Sequence, residues 1–442
     1  MSLLPVYKIS DPRLDRLPKP ALRSLQAERL QAMVRYCYDN TEFWLRKFNE
    51  AKIRPEDIRG LEDLHRIPFC TKAELQADQA ANPPFGSYVG TDRTHWYRFF
   101  STSGTTGKPL RRLVSRADWQ KILDRFIRIA PVMPGDIAVI LGPTDDLFGA
   151  TAGAEGLAHA GALVVPVGRY DTRKKIELLC ELRPTVVAGT ASYLMHVAEV
   201  AREMRVNLAE LGIKVLNSVG EPGAAIPATR RRLAEAWGAF VGDGYGLTEI
   251  LPLGSGCVHR TSTHIPDDLV ITEIIDLTTG KAATDGEPGE IVLTNLICDT
   301  HPLLRFRTGD IARRAAVDAC ECGFSGTLLA NSIEGRADDM IWFKGVNLYP
   351  SAIEEAVRSV EGVGGEFEIV IEGDGNPRMT LRVEHADGVQ PDAALSGRLK
   401  ESMRAKIGLS AEIELLPPAS LPRTDGRKKA RRLRDLRNRS AS

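Results

Sequence analysis

Between residues 136 and 219, short apolar runs alternate with helical patterns, and this alternation leaves the chain few folds to choose from. Ile137-Ala138-Val139-Ile140-Leu141, Ala162-Leu163-Val164-Val165-Pro166, Thr185-Val186-Val187-Ala188-Gly189 and Lys214-Val215-Leu216-Asn217-Ser218-Val219 are the apolar runs. Each is too short for a helix and too uniformly apolar for a strand with one wet face. Helical stretches separate them, one of them over 153–159. Such a series predicts an α/β fold with parallel-sheet layers covered on both faces.

Two other regions differ in character. Residues 20–50 carry a helical stripe of Leu22, Leu25, Leu30, Met33 and Val34. Past about 265, Val270-Ile271-Thr272-Glu273-Ile274-Ile275-Asp276 and Gly289-Glu290-Ile291-Val292-Leu293-Thr294 read as antiparallel strands of a β-rich subdomain over about 257–335. A fresh alternation then follows, with helix 350–360, strands 366–372 and 378–383, helix 392–406 and strand 411–416. The predicted organisation is a large N-terminal domain over 1–337 and a small C-terminal α+β domain over 338–442.

Composition narrows the function classes. The chain has 442 residues, and its formal net charge of zero gives no electrostatic reason to expect nucleic acid or an anionic membrane as partner. No apolar run approaches the roughly 20 residues of a membrane span. Met1-Ser2-Leu3-Leu4-Pro5 does not read as a secretory leader, and seven cysteines, an odd number, favour reduced thiols. The expectation is a cytoplasmic protein, with Cys37, Cys70 and Cys180 as small core residues.

Against that background, Ser101-Thr102-Ser103-Gly104-Thr105-Thr106-Gly107-Lys108-Pro109 stands out after the strand-like run Trp96-Tyr97-Arg98-Phe99-Phe100. Glycines let backbone N–H groups close around an anion, and hydroxyls and an ammonium add donors. The spacing Gly104-x-x-Gly107-Lys108 followed by proline is not that of a P-loop. Four later segments follow in order: Gly244-Tyr245-Gly246-Leu247-Thr248-Glu249; Leu304-Arg305-Phe306-Arg307-Thr308-Gly309-Asp310; Gly335-Arg336-Ala337-Asp338-Asp339-Met340-Ile341 with Lys344-Gly345-Val346-Asn347-Leu348-Tyr349-Pro350; and Pro422-Arg423-Thr424-Asp425-Gly426 with Arg427-Lys428-Lys429.

Together, over about 25–435, these segments resemble the adenylate-forming superfamily of acyl-CoA ligases. Ser218-Val219-Gly220-Glu221-Pro222, His264-Ile265-Pro266-Asp267-Asp268 and Gly345-Val346-Asn347-Leu348-Tyr349-Pro350 resemble its phenylacetate–CoA ligase branch. The resemblance implies that Ser103, Gly104, Thr105, Thr106, Gly107 and Lys108 hold the β- and γ-phosphates of ATP. It implies Glu221 and Pro222 at the adenine, Tyr245 stacked on the base with Gly246 next to it in the nucleotide site, and Thr248 on the α-phosphate. Glu249 is implied to hold Mg²⁺, Asp310 to accept from both ribose hydroxyls, and Arg336 to lie near ribose and phosphates.

The implied chemistry joins an organic acid to AMP, releasing pyrophosphate, and then transfers the acyl group to coenzyme A. In such enzymes the small domain swings between the steps, with Asp338 at the hinge position and Lys344 and Gly345 lining the coenzyme A path. The adenylation lysine departs from the family's pattern, because Arg427 stands in the usual place. Lys429 is assigned that role with Lys428 as the alternative, since a guanidinium fork does not mimic a mobile point ammonium.

Cys257, His264, Cys320 and Cys322 form a three-sulfur, one-nitrogen set suited to structural Zn²⁺, with His259 as the competing nitrogen ligand. The acid pocket is expected around Phe148 and Gly220, where small residues leave room for an aromatic or arylacetic monoacid. Delivery to an amine or a carrier protein, and a non-catalytic nucleotide-binding homologue, stay open beside the CoA ligase, as does the choice between monomer and homodimer.

Overall fold

The computed structural model describes residues 12–437 except 103–108, 130–131, 145–146, 258–261, 318–319, 345, 374–376 and 424–431. Ser103 to Lys108, His259, Gly345, Lys428 and Lys429 thus lie outside the described residues.

The parallel series is present as five strands, in the spatial order Leu163–Pro166, Ile137–Ile140, Val186–Gly189, Val215–Val219 and Phe240–Gly246. Neighbouring residues along each strand face opposite ways, and both ways are apolar. Val139, Val187, Leu216 and Val241 join one core with the helices Thr172–Leu182, Ala191–Glu203 and Pro227–Trp237. Ala138, Val186, Ala188 and Val215 join another with Leu157 of helix Phe148–His159. That two-sided burial is why the runs are uniformly apolar.

Beyond Phe240–Gly246 the same sheet turns antiparallel through Pro252–Gly256, Ser262–Ile265, Thr327–Arg336, Phe306–Arg314, Pro288–Asn295 and Val270–Ile275, making eleven strands in all. The N-terminal helices pack on this half, where Leu30, Trp44 and Phe48 share a core with Ile274, Leu293 and Phe306. Residues 20–50 form two helices, not one. Lys19–Asn40 ends where Thr41 turns extended, and the Thr41 hydroxyl caps Glu42–Glu50 by accepting from the Trp44 N–H. Helix Phe148–His159 begins ahead of the predicted 153–159, because Gly149 and Ala150 give a hydrophobic periodicity nothing to register.

A separate core organises the C-terminal α+β domain. Its sheet runs Glu412–Leu416, Arg378–His385, Val363–Glu372 and Leu433–Asp435, with helices Pro350–Arg358 and Ala393–Ile407 packed on it. Leu433–Asp435 comes from the basic tail, whose charge hid a strand that pairs parallel with Val363–Glu372. Among the described residues, no helix is long and apolar enough to cross a membrane.

One buried carboxyl in the joining strand gives the fold a pH signature. Asp243 is 4% exposed and accepts from the Ser332 hydroxyl. Burial raises its pKa to about 6 against that hydrogen bond. The unfolded chain ionises first, near pH 4, so this group's contribution to stability is complete below about pH 4 and is lost as pH rises through about 6. Asp243→Asn should therefore gain on the wild type across that window by on the order of 2–3 kcal/mol. Urea midpoints of both proteins measured from pH 4 to pH 7 check it; a constant difference would refute the buried-charge account.

Candidate active site

The carboxyl ends of the parallel strands form one edge, where open α/β sheets bind ligands. Gly220 follows Val215–Val219 with φ +88°, a left-handed turn that suits glycine and sends Glu221 and Pro222 into the short turn Pro222–Ala225. The Glu221 carboxylate accepts from the Ser192 N–H in the first turn of helix Ala191–Glu203, so the helix's positive end fixes it. Tyr245 and Gly246 end the next strand.

Asp310 reaches the same place from the antiparallel half. The Tyr245 hydroxyl donates to Asp310 Oδ2 at 2.9 Å, and Arg336 Nη1 donates to Oδ1 at 2.9 Å. Register supports the pair, since Asp310 lies opposite Arg336 across adjacent strands. Gly309 has φ +75°, and a Cβ there would stand 2.9 Å from Arg336 Nη2, so glycine leaves the guanidinium its place. Burial and then Asp310 push the Tyr245 phenol far above its ordinary range, keeping it a donor. Burial works against charge on Arg336, but Asp310 and Asp338 together hold its pKa above the ordinary value. Arg336 Nε also donates to Asp338 at 2.9 Å, which ties the predicted hinge residue to the carboxylate site.

Thr248 and Glu249 follow Gly246 on the turn into Pro252–Gly256. Two residues missed in the sequence secure them. Arg112, 3% exposed, donates to the Thr248 carbonyl. Lys72 places its ammonium 3.0 Å from a Glu249 oxygen. Its segment is pinned to the strand that carries Asp310, because the Cys70 N–H donates to the Arg305 carbonyl and Cys70 accepts from Arg307. Arg305 in turn donates to Glu273 with two nitrogens and to the carbonyls of His65 and Ile67. The signal available for Lys72 was the capping box of Thr71 and Glu74, which starts its helix.

Phe148 is 2% exposed; its ring meets Phe100 edge-on at 5.1 Å and carries the Arg112 guanidinium 4.6 Å above it. Its visible role is thus to seat Arg112 beneath Thr248. Lys344 lies exposed at the turn between strands Ile341–Phe343 and Val346–Leu348, with φ +48°.

Cys257, His264, Cys320 and Cys322 converge, with all four ligand atoms within 4.8 Å of one another. Register brings them together, since Leu328 pairs with His264 and the two later cysteines precede that strand. Cys257 Sγ lies 3.4 Å from Cys320 Sγ, and Cys322 Sγ 3.6 Å from His264 Nε2. A tetrahedral zinc with bonds of about 2.0–2.3 Å sets its ligand atoms about 3.4–3.8 Å apart, so the donors fit that ion. The His264 ring is stacked on Phe324 at 4.5 Å, which fixes its plane.

Comparison with known proteins places this geometry. Residues 20–295 match the AMP-binding enzyme family, and 345–437 match the AMP-binding enzyme C-terminal domain. A phenylacetate–coenzyme A ligase of Thermus thermophilus is 33% identical over 96% of this chain and 99% of its own length. That of Escherichia coli is 29% identical over 94% and 95%. A 2-hydroxyisobutyryl-CoA ligase in its postadenylation state is 31% identical, covers 96% of this chain and 91% of its own, and has a TM-score of 0.90. The same ligase in an open conformation and in the thioesterification state gives TM-scores of 0.73 and 0.72. With a family match over more than half its length and an α/β sheet that presents Tyr245, Thr248, Glu249, Asp310 and Arg336 at one edge, this chain belongs to the adenylate-forming AMP-binding enzymes, in their phenylacetate–coenzyme A ligase branch.

Proposed function

We propose that this protein uses ATP to convert an aromatic or arylacetic acid to its acyl-adenylate and then transfers the acyl group to coenzyme A. The observation that carries the reading is the Asp310 carboxylate, held by Arg336 and by Tyr245, whose strand leads directly into Thr248 and Glu249, as a site for a ribose next to an α-phosphate needs.

In the first step a carboxylate oxygen of the acid bonds to the α-phosphorus and the bond to pyrophosphate breaks. Two anions approach, so donors that wait in place lower the barrier. The Thr248 hydroxyl, with its carbonyl fixed by Arg112, donates to an α-phosphate oxygen. Lys429 adds a mobile positive charge, and residues 103–108 cradle the outer phosphates. Glu249 is the oxygen ligand that would hold Mg²⁺, whose part is to draw charge from the phosphate oxygens. Lys72 neutralises Glu249 otherwise. In the second step the thiol sulfur of coenzyme A bonds to the acyl carbon, AMP leaves, and the thiol proton is lost. Asp338 is the hinge for the movement between steps, which brings Lys344 and Gly345 to the thiol's path.

The arylacetic preference rests on phenylacetate–coenzyme A ligases of about 30% identity over almost the whole chain. A second reading, a small 2-hydroxy acid, draws on the fold match to 2-hydroxyisobutyryl-CoA ligase. Pyrophosphate release over a panel of phenylacetate, benzoates and 2-hydroxy acids, with and without coenzyme A, separates them. The expected outcome is highest kcat/KM with phenylacetate or a ring-substituted relative; a preference for 2-hydroxyisobutyrate would reverse the assignment. Product formed only with an amine or carrier protein would replace coenzyme A as acceptor.

Lys429→Ala should slow acyl-adenylate formation by about 100-fold or more while sparing thioester formation from preformed adenylate. Equal losses in both half-reactions would remove Lys429 from its role.

Cys257, His264, Cys320 and Cys322 are assigned one structural Zn²⁺, which would join the loop before Thr327–Arg336 to the Ser262–Ile265 strand. Elemental analysis should find about one zinc per chain, lost together with thermal stability in Cys322→Ser. Zinc-free protein of undiminished stability would rule it out.

A further inference from the structure

The two domains meet through charged and polar groups of a particular kind. Arg423 of the C-terminal domain donates through Nε to Glu199 of the large domain at 3.1 Å. Through its two other nitrogens it donates to Glu384 of its own domain, at 2.8 and 2.6 Å. Glu354 accepts from the Thr229 hydroxyl across the boundary at 2.9 Å, and from Arg358 and Arg432 within its own domain at 2.8 and 3.1 Å. Glu355 accepts from the Ala228 N–H across the boundary at 2.7 Å and from Lys406 within its own domain at 2.8 Å.

Every one of these small-domain charges has two kinds of partner, one across the boundary and one at home. An interface built to stay closed has no need of this, and pairing buried charges only across it would make opening prohibitive, because each would be left uncompensated. Here separation breaks the crossing hydrogen bonds and leaves Arg423, Glu354 and Glu355 still neutralised. Two further features confine the contact to one orientation. Arg232 of the large domain donates to the carbonyls of Val360 and Val363, at 2.9 and 3.1 Å. Gly365 approaches Glu199 so closely that a Cβ would fall 1.4 Å from its Oε1.

We propose that Glu199, Thr229 and the Ala228 amide, gripping Arg423, Glu354 and Glu355, form a releasable latch that holds the small domain in the arrangement matching the postadenylation state. Arg423 and Arg432 are the described residues on either side of 424–431, so the latch sets where the chain enters and leaves the stretch that contains Lys428 and Lys429. It acts on adenylation by positioning, and not on thioester formation; this half of the inference rests on the two-step reading above.

The test uses the full chain with Glu199→Ala and, separately, Gly365→Ala, which pushes the Glu199 carboxylate aside without removing it. Arg423 keeps Glu384 in both, so neither variant leaves the arginine unpaired. Pyrophosphate release with hydroxylamine as trap should slow roughly tenfold, the loss of one charge-assisted contact. Thioester formation from preformed acyl-adenylate and coenzyme A should stay within about twofold of wild type, a split that general misfolding does not produce. Hydrogen exchange read by mass spectrometry should show faster exchange over 227–237, where Ala228 is held by Glu355. Adenylation within twofold of wild type in both variants, or both half-reactions falling together, overturns the latch. Were the wild type to release no pyrophosphate with any acid, the functional reading would fail. Hydrogen exchange would then decide the latch alone, with unchanged protection in both variants counting against it.

Discussion

Strand Phe240–Gly246 is paired parallel on one side, to Val215–Val219, and antiparallel on the other, to Pro252–Gly256. The rest of the molecule depends on this double pairing. It fuses a doubly covered α/β layer to a β-rich layer in one hydrogen-bonded sheet, so the two halves cannot shift against each other without breaking the ladder. Tyr245, at the end of that strand, can therefore reach Asp310 of the antiparallel half while Glu221 sits on the adjacent turn of the parallel half. The site is a seam.

Its anions are each held by a donor from a different element. Asp310 has Tyr245 and Arg336, Glu249 has Lys72, and Glu221 has a helix-terminal amide. Groups fixed in this way before a ligand arrives need little reorganisation during reaction, which is where electrostatic catalysis gains most. The domain boundary follows the opposite logic, with home partners that make release tolerable. The proposed latch would thus pair a fixed seam with a releasable boundary, as two alternating half-reactions require of one chain.

The strands Ile137–Ile140, Val186–Gly189 and Val215–Val219 were legible because burial on both faces leaves an unbroken apolar run. Tyr245, Asp310 and Arg336 were legible because each stands in a recognisable short motif, and the structure joins them by hydrogen bonds. Lys72 and Arg112 were not, since a lysine at a helix start and an arginine in a strand look like ordinary surface residues until folding brings them to Glu249 and Thr248. Phe148 was expected at the acid pocket from its neighbourhood; that its ring packs against Phe100 under Arg112 is a contact only folding creates. The break at Thr41 was hidden because both helices bury one continuous stripe.

By itself, the order of apolar runs and short motifs determined the fold class and the family, since these follow from local periodicity and from chemistry carried within a few positions. Tertiary structure alone decided which donor grips which carboxylate, that Cys257, His264, Cys320 and Cys322 meet, and that Arg423 faces Glu199. Those pairings span dozens to hundreds of residues. They arise from strand register and domain docking, which no local stretch of sequence encodes.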